Sequence, residues 1–164
     1  MTCTSKEFDM SLVEDRLKAL GLEIPQAMAP VANYVPFVIS GNLLSISGQI
    51  PMKDGKLAYT GIVGDTVSLE DAADAARVCA INLIAQMKSA LGGDLERVVR
   101  IVKLGGFVAS TPSYTDHPKV INGASDLMVD VFADKGRHSR SAVGVSSLPL
   151  GVPVEVDALV EISL

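Results

Sequence analysis

The stretch from Ser68 to Leu91 sets the strongest limit on what this chain can become. Leu69, Ala72, Ala76, Cys79, Leu83, Met87 and Ala90 recur along one helical face, and the pattern holds for about six turns at 3.6 residues each. Ser68 suits the N-cap, and Glu70 and Asp71 fall in the first turn, where the helix dipole favours acids. Gly92-Gly93 stops the helix. A helix so long and so one-sided needs a sheet or a second helix against it. The second helix begins around Pro118, a residue suited to a first helical turn. Val120, Ala124, Leu127 and Val131 line its stripe, with Ile121, Met128 and Phe132 beside them, and Gly136 closes it.

Strands account for the rest. Residues 97–109 are nearly continuously apolar, which predicts a central strand. Residues 140–147 and 153–162 read as two more, separated by Leu148-Pro149-Leu150-Gly151. Upstream, 35–39 and 42–47 form a hairpin around Ser40-Gly41-Asn42, and Asp54-Gly55 marks another turn. The order predicts an α+β domain over residues 28–164, with one mostly antiparallel sheet and both long helices on one face. Residues 1–27 form an extension. In it Ser11 caps a short helix whose Leu12, Val13, Leu17 and Leu20 fall near one face, and Gly21 ends it. Pro25 and Pro30 bracket an extended linker.

Composition narrows the class. The 164 residues are 48% apolar but only 4% aromatic, without Trp, so the core is built from Val, Ile, Leu, Ala and Met. Apolar runs are far too short to cross a membrane. The apolar excess is better spent on subunit contacts, because obligate interfaces resemble a core cut in half. The net charge of −5, without a basic stripe, argues against nucleic acid as a partner. Cys3 and Cys79 make no disulfide framework, and residues 1–7 lack an apolar signal core, so a reducing cytoplasm is the expected compartment.

Candidate chemistry gathers on the last two strands. By the two-residue period, Arg140, Ala142, Gly144 and Ser146 share a face. A guanidinium among small residues leaves room for a ligand and grips a carboxylate with paired hydrogen bonds. On the final strand Val154, Val156, Ala158 and Val160 face one way, and Glu155, Asp157 and Glu161 the other. A carboxylate near a guanidinium is a candidate proton shuttle for water. Taken alone, alternating charge on a terminal strand also describes a solvated face. Asn122 lies away from the apolar stripe of its helix, and Tyr34 precedes the first strand; each reads by default as an ordinary surface or packing residue. His117 reads as a loop residue at a helix start, and His138 as a loop histidine within reach of a pocket. Ser47 lacks the context of a nucleophile elbow. Cys79, on the apolar helix face, reads as a buried inert thiol. No metal-ligand spacing or phosphate-binding loop is present.

Four segments in order resemble one family. They are Ser40-Gly41-Asn42-Leu43-Leu44-Ser45-Ile46-Ser47-Gly48-Gln49-Ile50-Pro51, then Val120-Ile121-Asn122, then Ser139-Arg140-Ser141-Ala142-Val143-Gly144-Val145, and Leu148-Pro149 followed by Val154-Glu155-Val156-Asp157-Ala158. Together, over roughly residues 28–162, they resemble the Rid (reactive intermediate deaminase, YjgF-like) family. Residues 1–27 and the Gly136-Arg137-His138-Ser139-Arg140-Ser141 wording resemble a longer subgroup, often labelled endoribonuclease or chorismate-mutase-like.

The resemblance implies a chorismate-mutase-like fold. It also implies a homotrimer whose sheets form a central barrel, with clefts between subunits. In the deaminase branch a small 2-imino acid is hydrolysed to a 2-keto acid and ammonia. Arg140 would hold the substrate carboxylate, and Glu155 would activate water. Tyr34, Ser47, Asn122 and Ala142 would complete substrate binding, with neither metal nor organic cofactor. Ala142 stands where many deaminases of the family carry cysteine, and Ala32-Asn33 where some carry Gly-Pro. Three alternatives remain: a non-catalytic module binding small carboxylates, an endoribonuclease as the label suggests, and a chorismate mutase by fold analogy.

Overall fold

The computed structural model describes residues 12–29 and 33–164. Helix α1, Leu12–Ala19, buries Val13 and Leu17, one turn apart on one face. Leu12 and Leu20, expected on that face, are 65% and 38% exposed instead. The end of α1 is a Schellman motif: Leu22 N–H donates to Leu17 O and Gly21 N–H to Lys18 O. Ser11, the expected cap, lies outside the described residues. Glu14 ties the helix to the next one along the chain through Lys88, at 3.0 Å.

Strands β1 (Phe37–Ser40) and β2 (Leu43–Gln49) form the first hairpin. Ser40 pairs with Leu43, so the turn is the two residues Gly41-Asn42. The Asp54-Gly55 turn joins a small hairpin of β3 (Met52–Lys53) and β4 (Lys56–Leu57), one pair more than the sequence predicts. Helix α2 spans Leu69–Ala90, and Ser68 accepts from Asp71 N–H as its N-cap. Ala72, Ala76, Cys79, Leu83 and Met87 are completely buried. Leu69 is exposed and Ala90 half-buried, because each lies at an end of the stripe.

Strand β5 (Val98–Ala109), helix α3 (His117–Phe132), β6 (Ser139–Val145) and β7 (Val154–Ile162) complete the chain. The main sheet runs β1-β2-β7-β5-β6. Its pairs are antiparallel except β5 with β6, which α3 connects. β5 is interior, as its apolar run implies, but the central strand is β7. Both long helices cover one face, against Val154, Val156, Ala158 and Val160 of β7. Gly123 is what lets α3 approach α2. A Cβ there would collide with the Ala73 carbonyl oxygen.

Among the described residues no layer covers the other sheet face. That face presents Val38, Leu43 and Val143, all more than a third exposed, beside half-buried Phe107 and Leu159. Among the described residues no helix is long and apolar enough to cross a membrane.

Candidate functional site

Register decides where the candidate residues point. Leu104 of β5 pairs with Arg140 on one side and Ala158 on the other, so Arg140 projects on the helix-covered face. Phe107 pairs with Val143 and with Glu155, so Glu155 projects on the open face. β5 also lies between their strands. This corrects the picture of Glu155 on a strand adjoining that of Arg140. Within one chain the guanidinium and the carboxylate do not meet, and the candidates fall into two groups.

The first group sits at the seam of β6 and α3. Arg140 Nη1 donates to Ser125 Oγ at 3.0 Å, and Nη2 donates to the Pro118 carbonyl at 3.1 Å. Two bonds leave guanidinium donors to spare, and no carboxylate among the described residues pairs with Arg140. Asn122 joins it on an open cavity of about 280 Å³, with Ser125, Asp126 and His138 also in the lining. Ser125 and Asn122 are one turn apart, which puts them on one side of α3. Ala142 is partly buried against the core, opposite Gly106.

The second group sits at the end of β2. Tyr34, Ser47 and Gly48 line a cavity of about 140 Å³, with Gln86 at its wall. The β2–β7 register slips between Ile46 and Gln49, so Ser47-Gly48 form a β-bulge, a device that re-aims side chains. Ser47 Oγ donates to Val35 O at 2.9 Å, fixing the segment that carries Tyr34. The Glu155 carboxylate occupies the space a Cβ on Gly48 would take. Glu155 therefore belongs with this group.

Electrostatics single out the same carboxylate. Burial, and then repulsion from Asp157, push the Glu155 pKa above the usual carboxylate value. Burial also raises that of Asp157, against the lowering effect of the Gly105 N–H bond and Lys103. A carboxylate tuned upward accepts protons more readily at neutral pH.

Sequence reasoning missed Ser125 and undervalued His138. The signals were present: Ser125 is three residues after Asn122, and His138 two before Arg140. His117 is the first residue of α3 rather than part of the preceding loop. There it meets Ser110 Oγ at 3.0 Å and stacks edge-on with Tyr114 at 5.4 Å. Cys79 is fully buried, and burial raises its thiol pKa, as expected of an inert thiol. Cys3 lies outside the described residues.

The comparisons now complete the picture. A family described as YjgF/chorismate mutase-like, putative endoribonuclease, matches residues 14–162. The chain is 49% identical over 152 residues to Protein TCP17 of Trypanosoma cruzi, covering 92% of this chain and 94% of that protein. The solved structure of Atu1372 from Agrobacterium tumefaciens is 53% identical, with a TM-score of 0.87 and 93% of each chain covered. One from Shewanella oneidensis MR-1, carrying the same endoribonuclease label, is 39% identical, with a TM-score of 0.88 and 92% and 99% covered. The chain thus belongs to the YjgF/chorismate mutase-like family, with its mixed, mostly antiparallel sheet and helices on one face.

Proposed function

We propose that this protein is an imine deaminase that hydrolyses small 2-imino acids to 2-keto acids and ammonia. The observation that carries the reading is Arg140, half-buried in an open cavity beside Asn122, with donors to spare and no acidic partner among the described residues. Such a guanidinium is a ready anchor for a carboxylate. The imine carbon is already electrophilic, so orientation and proton transfer suffice as catalysis. Glu155 activates the attacking water. Tyr34 and Ser47 orient substrate and water beside it, and Ala142 leaves the cleft floor small.

Arg140 and Glu155 project from opposite sheet faces on strands that do not adjoin, which supports a working cleft that takes Arg140 and Asn122 from one subunit and Tyr34, Ser47 and Glu155 from its neighbour. The open apolar sheet face supports the required assembly, a homotrimer. Its Val38, Leu43 and Val143 would otherwise sit in water. A soluble, cytoplasmic enzyme is the corresponding setting.

The test is release of ammonia and keto acid from 2-iminopropionate generated in situ. Wild type is expected to accelerate release. Arg140→Ala is expected to lose about 10–100-fold in kcat/KM, the scale of hydrogen bonds to a charged group, with its assembly intact. A folded wild-type trimer without acceleration overturns the reading in favour of a small-carboxylate-binding module. Undiminished Arg140→Ala removes this residue from the mechanism.

A further inference from the structure

The cleft at the β6–α3 seam contains a hydrogen-bonded chain that carboxylate binding leaves unused. His138 Nδ1 lies 2.6 Å from the Gly136 carbonyl oxygen, and Nε2 lies 2.9 Å from Ser125 Oγ. A carbonyl only accepts, so Nδ1 carries the proton. In the neutral imidazole Nε2 is then the acceptor, and the Ser125 hydroxyl donates to it. Arg140 Nη1 donates to the same oxygen at 3.0 Å. The Ser125 hydroxyl is thus held between a base and a cation. The imidazole can take its proton, and the guanidinium favours negative charge on its oxygen. Both Ser125 and His138 are half-buried and line the cavity with Asn122. The other charged groups on that cavity are Asp126 of α3 and Arg137 of the segment before β6.

Building on the deaminase reading, we propose that Ser125 and His138 are the proton relay of this site on the arginine side. Ser125 is the catalytic residue that touches the reacting oxygen, and His138 is the positioning residue that stores the proton behind it. The substrate enters as the protonated imine. Glu155 takes a proton from water, the oxygen forms a bond to carbon, and the C=N pair moves to nitrogen, giving a neutral carbinolamine. Collapse then needs a proton removed from oxygen and one supplied to nitrogen. Ser125 accepts the carbinolamine O–H proton as its own passes to His138 Nε2. The C=O bond forms, the C–N bond breaks with its pair on nitrogen, and protonated Glu155 returns its proton there. The ammonia takes the proton held on His138 and departs as ammonium. Both acid–base groups end as they began, and nothing is oxidised or reduced. Glu155 acts from the neighbouring subunit, so each side of the cleft contributes one proton-transfer group.

The test measures kcat and KM separately with 2-iminopropionate, in trimers whose fold is verified by circular dichroism. Ser125→Ala and His138→Gln are expected to lower kcat about 100-fold, the scale of one acid–base group, with KM within about twofold of wild type. Ser125→Thr, which keeps the hydroxyl, is expected to retain most activity. Added imidazole is expected to restore at least about tenfold of the activity lost in His138→Ala, a rescue that proton transfer allows and packing does not. Unchanged kcat in Ser125→Ala and His138→Gln overturns the relay and leaves the deaminase reading standing. So does a loss confined to KM without imidazole rescue, because the pair then only props Arg140. Absence of ammonia release by wild type overturns both.

Discussion

Glu155 is the residue whose surroundings say most about its chemistry. Its carboxylate fills the space left by Gly48 and faces Asp157 two residues on. Both acids have raised pKa values in the folded chain, so folding takes up protons in the window from the ordinary carboxylate value to the raised one. The native state binds more protons there than the unfolded chain, and stability falls as pH rises through that window. Glu155→Gln is therefore expected to melt at pH 7 no lower than wild type, while its kcat drops about 10²–10⁴-fold for want of the general base. Thermal melts across pH 4–8 beside activity assays check both halves. A lower melting temperature at pH 7 would show that the ionised carboxylate stabilises the fold.

Two glycines carry the elements into place, and each makes a separable prediction. Gly48 sits in the β2 bulge, where an added methyl meets the end of a flexible Glu155 side chain. Gly48→Ala is expected to displace the carboxylate, cutting kcat with a stability cost of about 1 kcal/mol. Gly123 faces backbone rather than a side chain at the α2–α3 crossing. Gly123→Ala must push the helices apart and is expected to cost about 3 kcal/mol, read by urea denaturation. Equal stabilities for the two variants would contradict this ordering. The elements themselves were legible because period and punctuation agree: Ser68 and Gly92-Gly93 bound α2, and the β7 alternation survives intact in its burial pattern. The β2 bulge was not legible. It depends on how Glu155 of a distant strand packs on Gly48, which no local pattern records.

At the scale of the whole molecule, the sequence named residues without revealing how they divide. Arg140 and Glu155 looked like partners because β6 and β7 are consecutive in the chain. The sheet inserts β5 between them and turns their side chains to opposite faces. Strand order is a long-range property, and alternation within one strand carries no information about it. The link from Ser125 to His138 and Arg140 stayed hidden for the same reason, since only the fold brings α3 against β6. The open sheet face gives the assembly its own test. A charge at Val143, 45% exposed beside Phe107, costs little in a lone chain but much inside an interface. Val143→Lys is expected to yield monomers by sedimentation velocity, with activity lost; an unaltered assembly would place the interface elsewhere.

The division of the site between subunits is tested most directly by complementation. Arg140→Ala and Glu155→Gln, each expected alone at about a tenth of wild-type activity or less, are coexpressed with different tags and the mixed trimers are isolated. A cyclic trimer that holds both variants has about one cleft in three with both native residues. The account predicts deaminase activity near that fraction of wild type. Mixed trimers no more active than either parent would contradict a cleft shared between chains.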